Sequence, residues 1–545
     1  MPIRRPVISG LFLTTLTAAF VLFATNATFW SKAAAYFSVN PFRFLSFIAI
    51  LLLVHVAVLS LFSARWIVKP AMIVVILIAA ASSYFIGVFG TVIDREMIAN
   101  AVETTTAEAG HLLTPAFYGH MALYGLVPSA IILWLKVAPD TFRKQAALAA
   151  AAFAGCIVVA GALLAAQTSF FIPMWRTERV GMISYLVPAT PINGAVKYAM
   201  RQFKGAEIVA QPYGVDARTG PAFAGAGKKV LTVIVVGETA RAQNFSLLGY
   251  GRDTNPELAA RDVIAFSNVS SCGTATAVSL PCMFSHLGRK DYSHNKALAS
   301  ENLVDVLAHA GLKVEWWENN TGSKKVADRI VQRSFYADKD ARYCQPGGGD
   351  CNDDILVEAL AKDIDGFVAG GNAVLVLHTG GSHGPAYYLR YPRDRAKFQP
   401  DCQTPQISNC SNDELINAYD NSILATDHML AGVIDLLKSR QDTIASSMIY
   451  VSDHGESLGE NGLYLHGAPY IMAPAEQTRV PMIAWFSDDF SRIAGLDTGC
   501  VRSKTAEPLS HDNLFDTVLG LMDVSTSVYR QELDAFAVCR SAPAT

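Results

Sequence analysis

Long apolar stretches fill the first third of the chain, and the remainder alternates shorter apolar runs with polar segments. Each long stretch reaches the ~20 apolar residues that a helix needs to cross a ~30 Å hydrocarbon layer. None carries the polar stripe that marks a helix on the surface of a soluble protein. We therefore predict a transmembrane domain of five helices in residues 1–170. The stretches without Asp, Glu, Lys or Arg are 6–31, 44–64, 70–93, 109–135 and 145–175.

Basic residues between these stretches predict the orientation, because cytoplasmic loops are enriched in Lys and Arg. With a cytoplasmic N-terminus, the inner set is Arg4, Arg5, Arg65, Lys69, Lys136, Arg143 and Lys144, and the outer set is only Lys32, Arg43 and Arg95. Five crossings then place everything after about residue 170 outside the cytoplasm. A cleaved signal peptide is the alternative for the first stretch, but the four spans that follow favour its retention.

Charge is distributed unevenly between the two parts of the chain. Of the 91 charged residues (44 basic, 47 acidic), 15 lie in residues 1–170, which carry a net charge of +5, and the rest of the chain carries −8. This segregation, with 51% hydrophobic residues, excludes a disordered chain and a uniformly soluble protein. An acidic polar part without a basic cluster also argues against nucleic-acid binding.

Residues 171–228 join the two parts and mix apolar with polar character. We predict interfacial helices here, with residues 185–193 along the membrane surface before a helical pattern at 194–204. A stretch rich in Gly, Pro and Ala at 211–229 is typical of a linker. A further amphipathic piece, 91–112, is predicted outside the membrane, where a solvated surface helix is the simplest interpretation. Its acidic residues are Asp94, Glu96, Glu103 and Glu108.

Residues 229–545 combine apolar, β-branched runs with helical patterns, which predicts an α/β domain with a doubly wound, mostly parallel sheet. Four of the runs end in polar clusters. Because ligands of such sheets bind beyond the carboxyl ends of the strands, the clusters predict one shared site. The runs and the clusters that follow them are 230–236 with 237–239, 312–317 with 318–321, 373–377 with 378–384, and 447–452 with 453–456.

Three residues of these clusters, Glu238, Asp453 and His454, offer two carboxylates and an imidazole. Zinc accepts such a set of three ligands and keeps a fourth position open in catalytic sites. Each residue alone is more often structural. The hypothesis of a zinc site therefore depends on their shared position at strand ends.

A hydroxyl-rich stretch, residues 271–277, precedes a helical pattern. N–H groups at a helix N-terminus stabilise a phosphate, and a hydroxyl becomes nucleophilic when a base or a metal removes its proton. Thr274 and Thr276 are both candidates for this role, and a structural turn beside Cys272 is the alternative. Further candidates for contact with a phosphoryl group are Lys324, His383 and His466.

Eight of the nine cysteines lie in the second part of the chain, and Cys156 lies in the fifth apolar stretch. Their closeness in sequence suits local disulfides in an oxidising compartment. Metal thiolates or free thiols are the alternative, although no CxxC pair occurs. Proximity favours the pairs Cys272–Cys282, Cys344–Cys351 and Cys402–Cys410, which leaves Cys500–Cys539.

Six motifs follow one another along the chain: Val235-Val-Gly-Glu-Thr-Ala-Arg-Ala, Ser271-Cys-Gly-Thr-Ala-Thr-Ala-Val-Ser-Leu-Pro-Cys-Met-Phe, Trp317-Glu-Asn-Asn-Thr-Gly-Ser-Lys, Gly381-Ser-His-Gly-Pro-Ala-Tyr, Ser452-Asp-His-Gly-Glu-Ser-Leu-Gly-Glu and His466-Gly. With these motifs the chain resembles the membrane-bound phosphoethanolamine transferases of Gram-negative bacteria, within the alkaline phosphatase/sulfatase superfamily. The lipid A branch is the most similar. The resemblance extends over essentially the whole chain, including five spans before the catalytic domain. Gly380 departs from it, because relatives commonly have a bulkier apolar residue there.

The resemblance implies a ping-pong reaction. Phosphoethanolamine leaves phosphatidylethanolamine, diacylglycerol is released, and the group rests on an enzyme threonine until an acceptor takes it. The acceptor implied by the lipid A branch is a lipid A phosphate, while core heptose and a protein glycan are alternatives within the family. Such a transfer would lower the negative charge of the bacterial surface and give resistance to polymyxins.

The family's site residues can be carried over onto this sequence. The resemblance implies zinc ligands at Glu238, Thr276, Asp453 and His454, with Thr276 as the nucleophile. It implies substrate contacts at Asn320, Lys324, His383 and His466. Either histidine could protonate diacylglycerol and later deprotonate the acceptor. We expect a monomer in the bacterial inner membrane. Its N-terminus would lie in the cytoplasm, and its catalytic domain, residues 229–545, would lie in the periplasm.

The resemblance also changes the interpretation of residues 91–112. Similar enzymes bind the ethanolamine head group through an Asn, a Thr and a Glu on a helix at the membrane edge. Asn100, Thr104 and Glu108 have the same spacing here. Positions i, i+4 and i+8 lie on nearly one face of a helix, so Glu108 could pair with the ammonium group.

Two other classes of protein compete with this hypothesis. A membrane-anchored zinc sulfatase or phosphodiesterase would use the same sheet-edge site, but sulfatases carry a cysteine for formylglycine formation, whereas Cys282 suits a disulfide better. A non-catalytic lipid-binding protein would have no reason to contain Thr276 together with all three metal ligands. A transporter is disfavoured because no charged residue lies deep within a span.

Overall fold

The computed structural model describes residues 5–38, 40–104, 106–178, 181–204, 208–223, 227–336, 340–344 and 351–541. The chain divides into two compact units. The first unit comprises Met1–Ala99 and Leu113–Arg201, and the second comprises Asn100–Leu112 and Gln202–Thr545. The predicted amphipathic piece is therefore shared, since its second half belongs to the unit that carries the α/β domain.

The first unit is a bundle of apolar helices. Within the described residues, four helices are long and apolar enough to span a membrane, and a bent pair of helices makes a fifth if it is counted as one span. The described residues thus provide four helices that could span a membrane, or five if the bent pair is one span, where the sequence pattern predicts five. The four long helices are Pro41–Ser60, Val68–Phe89, Pro115–Trp134 and Phe142–Ala165, and the bent pair is Gly10–Ala24 with Ala27–Tyr36.

The first apolar stretch does not form the single helix that its composition predicts. Its two helices meet at an angle of 69°. Asn26 lies in the break, where its Nδ2 donates hydrogen bonds to the carbonyl oxygens of Val21 and Val187, both at 2.9 Å. The buried side-chain amide of Asn26 competes with backbone N–H groups for helical carbonyl oxygens. This competition ends the first helix.

The segment after the last long span is helical, as predicted, with helices Thr168–Glu178 and Ala189–Lys204. The expected linker is packed rather than free. Ala217 and Phe223 are each only 4% exposed and belong to the main apolar core, and strand Arg218–Thr219 pairs with Val524–Ser525. Burial of these apolar side chains outweighs the flexibility that the Gly and Pro content suggests.

The second unit contains an eight-stranded sheet, whose strands are β1 Lys229–Gly237, β2 Ile264–Ser270, β3 Lys313–Glu318, β4 Val331–Ser334, β5 Ala373–His378, β6 Ile444–Ser452, β7 Arg479–Phe486 and β8 Leu509–Ser510. Their order across the sheet is β8-β2-β7-β6-β1-β5-β3-β4. In this sheet β7 alone runs antiparallel to its neighbours, so the sheet is mostly parallel, as predicted.

Both faces of the sheet are covered by helices. Val230, Ile234 and Val236 of β1 face a core that includes helices Leu303–His309 and Leu514–Leu521. Alternate residues of β1 point to the opposite face, which helices Asp354–Val368 and Asn412–Lys438 cover. Burial on both faces explains why β1 and its neighbours are continuous apolar runs. Shorter helices of this unit are Pro256–Ala259, Thr276–Met283, Gly288–Asp291, His294–Leu298, Ala475–Thr478, Asp488–Ile493 and Thr498–Ser503.

Four disulfides cross-link the second unit. They join the three pairs that proximity favours, Cys272–Cys282, Cys344–Cys351 and Cys402–Cys410, and the pair that these leave, Cys500–Cys539. Cys156 is the free cysteine of the described residues. The first disulfide connects the hydroxyl-rich loop to helix Thr276–Met283, so it fixes the element that carries the candidate nucleophile.

Candidate metal centre and active site

The strand register brings the polar clusters together. Gly237 of β1 pairs with Ser452 of β6, and Glu318 of β3 pairs with His378 of β5. The four strands β6, β1, β5 and β3 are consecutive in the sheet. Their carboxyl ends therefore form one edge, and the clusters predicted from the sequence all lie along it.

Glu238, Asp453 and His454 form a buried group at this edge. Their ligand-capable atoms lie within 4.8 Å of one another, and each residue is at most 1% exposed. Oδ2 of Asp453 has no hydrogen-bond partner among the described residues. A buried carboxylate oxygen without a donor or a cation is costly, so the arrangement favours a bound cation.

Burial raises the pKa of both carboxylates in this group. Burial and the nearby Asp453 raise the pKa of Glu238 to about 8, and burial raises the pKa of Asp453 to about 7. Burial lowers the pKa of His454 well below its ordinary value, so the ring is neutral. Its Nδ1 lies 2.9 Å from the carbonyl oxygen of Gly455, which leaves Nε2 available as a metal ligand.

Thr276 is the first residue of helix Thr276–Met283, and its hydroxyl faces this group. Its Oγ1 lies 3.0 Å from Oε1 of Glu238 and 3.3 Å from Nε2 of His454. The hydroxyl of Thr274 instead donates to the carbonyl oxygen of Ala468 at 2.6 Å. The geometry therefore separates the two threonines, which periodicity cannot do, and places Thr276 beside the carboxylates.

A glycine allows the loop to fold back onto this helix. A Cβ at Gly273 would lie only 2.9 Å from the backbone nitrogen of Ser279. Any larger residue would push the loop away from the helix. The glycine of the Cys-Gly-Thr sequence is therefore required for packing, whatever the chemical role of the loop.

The four side chains match the size of a tetrahedral metal site. Nε2 of His454 lies 3.4 Å from both Oε1 of Glu238 and Oδ2 of Asp453. Ligands bound tetrahedrally at ~2.0–2.1 Å from zinc lie about 3.3 Å apart. Two carboxylates, one imidazole and one hydroxyl therefore fit a small divalent cation.

Asn320 and His378 both lie next to Oε2 of Glu238. Nδ2 of Asn320 donates to Oε2 of Glu238 at 3.0 Å and to the carbonyl oxygen of Thr379 at 2.7 Å. Nε2 of His378 lies 3.9 Å from the same carboxylate, and neither ring nitrogen of this histidine has a hydrogen-bond partner among the described residues. The sequence placed His378 in a strand-end cluster but assigned it no function.

Glu456 is a site residue that the sequence analysis did not single out. Its Oε2 lies 2.8 Å from Nδ1 of His466, and its Oε1 accepts a hydrogen bond from the hydroxyl of Tyr387 at 2.6 Å. A short antiparallel hairpin, Ser457–Leu458 with Tyr464–Leu465, brings Glu456 opposite His466. Burial alone would lower the pKa of His466, but Glu456 outweighs it and raises the pKa to about 9.

Three histidines line the site in a row. The ring centroids of His454 and His466 are 4.6 Å apart, and those of His466 and His383 are 5.2 Å apart. Burial and the charge of His466 lower the pKa of His383 well below its ordinary value. His383 is therefore neutral beside a charged neighbour, and the two rings have different protonation states.

Lys324 lies near the row without contacting the metal ligands. Its Nζ is 3.0 Å from Oγ1 of Thr321 and 3.7 Å from Oε2 of Glu103. Its φ of 49° is left-handed, which is unfavourable for a residue with a side chain and is typical of functional loops. The structure thus gives Lys324 a carboxylate partner that the sequence analysis did not predict.

The single helical face predicted for Asn100, Thr104 and Glu108 is wrong. Helix Arg95–Glu103 ends before Thr104, and a second helix, Thr106–Leu112, carries Glu108. The hydroxyl of Thr104 donates to the carbonyl oxygen of Asn100 at 2.8 Å. Thr104 is β-branched and its hydroxyl bonds back to the backbone, which weakens a helix at this point. Oε1 of Glu108 nevertheless lies 3.9 Å from Nδ1 of His383, at the candidate site.

Comparisons with known proteins agree with this fold. The family model "Sulfatase" matches residues 231–524, and the family model "Phosphoethanolamine transferase EptA/EptB" matches residues 51–203. The first match covers the sheet with its site, and the second covers most of the apolar helices. The fold and these matches define the class of protein. It has a membrane domain that is followed by a sulfatase-type α/β domain.

Similar proteins cover nearly the whole chain. Phosphoethanolamine transferase EptA of Escherichia coli is 37% identical over 99% of this chain and 98% of its own length. Phosphatidylethanolamine transferase Mcr-1 of Escherichia coli is 37% identical over 96% of both chains. A solved structure of lipooligosaccharide phosphoethanolamine transferase A of Neisseria meningitidis, described as an integral membrane protein, has a TM-score of 0.93 and 34% identity, and the match covers 98% of this chain and 100% of that one. The chain belongs to the phosphoethanolamine transferase family.

Proposed function

We propose that the protein transfers phosphoethanolamine from phosphatidylethanolamine to lipid A, with Thr276 as the covalent carrier. The observation that carries the proposal is the position of Thr276 Oγ1, 3.0 Å from Glu238 and 3.3 Å from His454. A hydroxyl at the start of a helix, surrounded by metal-binding groups, suits attack on a phosphate. Relatives named for transfer to Kdo(2)-lipid A support the acceptor.

In the first half-reaction, the hydroxyl of Thr276 loses its proton to solvent, and its Oγ1 attacks the phosphorus of the donor lipid. A new phosphorus–oxygen bond forms to the threonine, and the bond between phosphorus and the glycerol oxygen breaks. The departing alkoxide takes a proton from a neighbouring side chain and leaves as diacylglycerol. His466 is protonated and lies beside His454, so in this proposal it supplies that proton, and the neutral His383 next to it is suited to accept one.

In the second half-reaction, a phosphate oxygen of lipid A attacks the same phosphorus. The bond to Thr276 breaks, the threonine oxygen is regenerated, and the acceptor carries an added ammonium group. This exchange lowers the negative charge of the lipid and hence its attraction for cationic polymyxins. Lys324 offers positive charge to the phosphoryl oxygens in both steps.

Zinc is the proposed metal, held by Glu238, Asp453, His454 and Thr276. The buried, partner-free oxygen of Asp453 and the donor separations near 3.3 Å support this choice. A bound zinc ion would lower the pKa of the Thr276 hydroxyl and stabilise negative charge on the phosphoryl group. Asn320 would hold Glu238 in its ligand position through the bond at 3.0 Å.

The remaining features of the proposal concern the membrane. We infer five spans, counting the bent pair as one, with the N-terminus in the cytoplasm and the second unit in the periplasm of a bacterial inner membrane. The excess of basic residues in the inner loops and the four disulfides support this orientation. Asn100, Thr104 and Glu108 are proposed to bind the ethanolamine group, and the protein is proposed to act as a monomer.

The decisive experiment is mass spectrometry of lipid A from bacteria that express the protein or its Thr276→Ala variant. We expect phosphoethanolamine on lipid A only with the unaltered protein. If core sugar or a protein glycan is modified while lipid A is not, the acceptor is that sugar or glycan, as in other branches of the family. Free phosphoethanolamine released to water, without any modified acceptor, would contradict transfer and favour a hydrolase.

A further inference from the structure

A polar cleft of about 340 Å³ lies in the first unit, apart from the candidate active site. It is formed where residues 94–96 meet helix Ala189–Lys204. Gly194 makes this contact possible, since a Cβ there would lie 2.8 Å from the carbonyl carbon of Asp94. Both acidic and basic side chains line the cleft, namely Asp94, Arg95, Glu96 and Lys197.

The same helix exposes an apolar face next to the cleft. Ile192, Val196 and Met200 are exposed by 37%, 51% and 51%. Their spacing of four residues places them along one side of the helix. The cleft-lining Lys197 lies at the edge of this side, three residues before Met200. A helix with exposed apolar residues on one face and charge at the edge of that face is suited to the interface between lipid tails and head groups.

Two charges in the cleft have no ionic partner within the described part of the chain. Oδ1 of Asp94 accepts hydrogen bonds from the backbone of Glu96 and Met97 at 2.9 and 3.0 Å, but no Lys, Arg or His nitrogen lies within the 4.0 Å of an ion pair. Burial raises the pKa of Asp94. Arg95 is directed towards Glu96 instead, at 2.8 Å. Lys197 likewise has no carboxylate partner among the described residues.

We propose that this cleft binds the head group of a zwitterionic phospholipid, with the ammonium at Asp94 and the phosphate at Lys197. A phosphoethanolamine head group carries one charge of each sign, so it would neutralise both unpaired side chains at once. Its acyl chains would lie along the apolar face of the helix. The first unit would thus hold a lipid of the donor class at a site separate from the reacting Thr276.

The proposal goes beyond the transfer reaction and can be tested without it. The full-length chain with Thr276→Ala is purified in detergent and titrated with phosphatidylethanolamine or phosphatidylglycerol, and native mass spectrometry counts the lipids bound per chain. Because this variant cannot consume the donor, the count measures binding alone. A lipid bound at the candidate active site contributes equally to every variant of the cleft.

We expect Lys197→Ala to weaken one phosphatidylethanolamine site by about fivefold, the effect of one partly exposed ion pair. Asp94→Asn should remove the preference of that site for phosphatidylethanolamine over phosphatidylglycerol. Arg176→Ala, which removes an exposed cation of the first unit outside the cleft, should change nothing. Unchanged lipid counts in both cleft variants, or no preference in the unaltered cleft, would overturn the proposal and leave the transfer reaction untouched.

Discussion

Nδ1 of His466 lies 2.8 Å from Oε2 of Glu456, and the other oxygen of the same carboxylate holds the hydroxyl of Tyr387. A carboxylate bound to one ring nitrogen fixes the orientation of an imidazole and stabilises its protonated form. The other nitrogen of His466 has no hydrogen-bond partner among the described residues, so it is available to substrate. Glu456 is thus a positioning residue in our account and does not itself touch the reacting atoms.

Replacing Glu456 should slow the chemistry more than it weakens donor binding. We expect Glu456→Gln to lower the rate of transfer by about 10–100-fold, because the ring loses its charged partner, while the apparent KM for phosphatidylethanolamine changes little. Steady-state transfer to lipid A measures both quantities. The exposed Glu532 provides a matched control as Glu532→Gln. A variant with normal turnover would show that His466 needs no carboxylate.

The covalent step should depend on one threonine only. Thr276→Ala removes the hydroxyl at 3.0 Å from Glu238 and should abolish the adduct seen by intact-protein mass spectrometry. Thr274→Ala removes a bond to Ala468, which costs ~1 kcal/mol of stability, and should still form the adduct. An adduct that persists in the first variant and disappears in the second would reverse the assignment.

Glu103 should compete with the donor phosphate for Lys324. The two side chains are 3.7 Å apart, so the carboxylate partly neutralises a charge that a phosphate would use. We expect Glu103→Gln to lower the apparent KM for phosphatidylethanolamine by about two- to fivefold, in keeping with a partly exposed pair. A raised KM would instead indicate that Glu103 attracts the ammonium group.

The disulfides should contribute unequally to the stability of the second unit. Cys500–Cys539 closes 39 residues and Cys344–Cys351 closes 7, so the loop-entropy relation predicts about 4 and about 2.5 kcal/mol. The double variant Cys500→Ser/Cys539→Ser should therefore lower the melting temperature more than Cys344→Ser/Cys351→Ser. Equal melting temperatures, with and without reductant, would exclude a stabilising role for both bonds.

Much of the site follows from the sequence because parallel strands order it. Glu238 and Asp453 come directly after apolar runs, and parallel pairing of those runs suffices to bring them together. The local disulfide pairs can be predicted from the sequence as well, because closing a short loop costs little chain entropy. The choice of Thr276 over Thr274 required the structure, because both occupy the same loop and only their contacts differ.

Other features depended on contacts that no pattern specifies. Glu456 reaches His466 only because a short hairpin with two-residue strands, Ser457–Leu458 and Tyr464–Leu465, turns the chain back between them. The break at Asn26 depends on bonds to Val187, which is 161 residues away. Thr104 ends a helix that its spacing would have continued, because its hydroxyl bonds to the backbone of Asn100. In each case a long-range or side-chain bond overrides the local period.

Metal dependence of adduct formation is the sharpest test of zinc-assisted transfer through Thr276. The protein is stripped of metal with a strong chelator, its metal content is measured, and phosphatidylethanolamine is added before and after zinc is restored. We expect about one zinc ion per chain before stripping, no phosphoethanolamine on Thr276 in the stripped protein, and full adduct formation once zinc returns. Adduct formation at an undiminished rate in verified metal-free protein would contradict this mechanism.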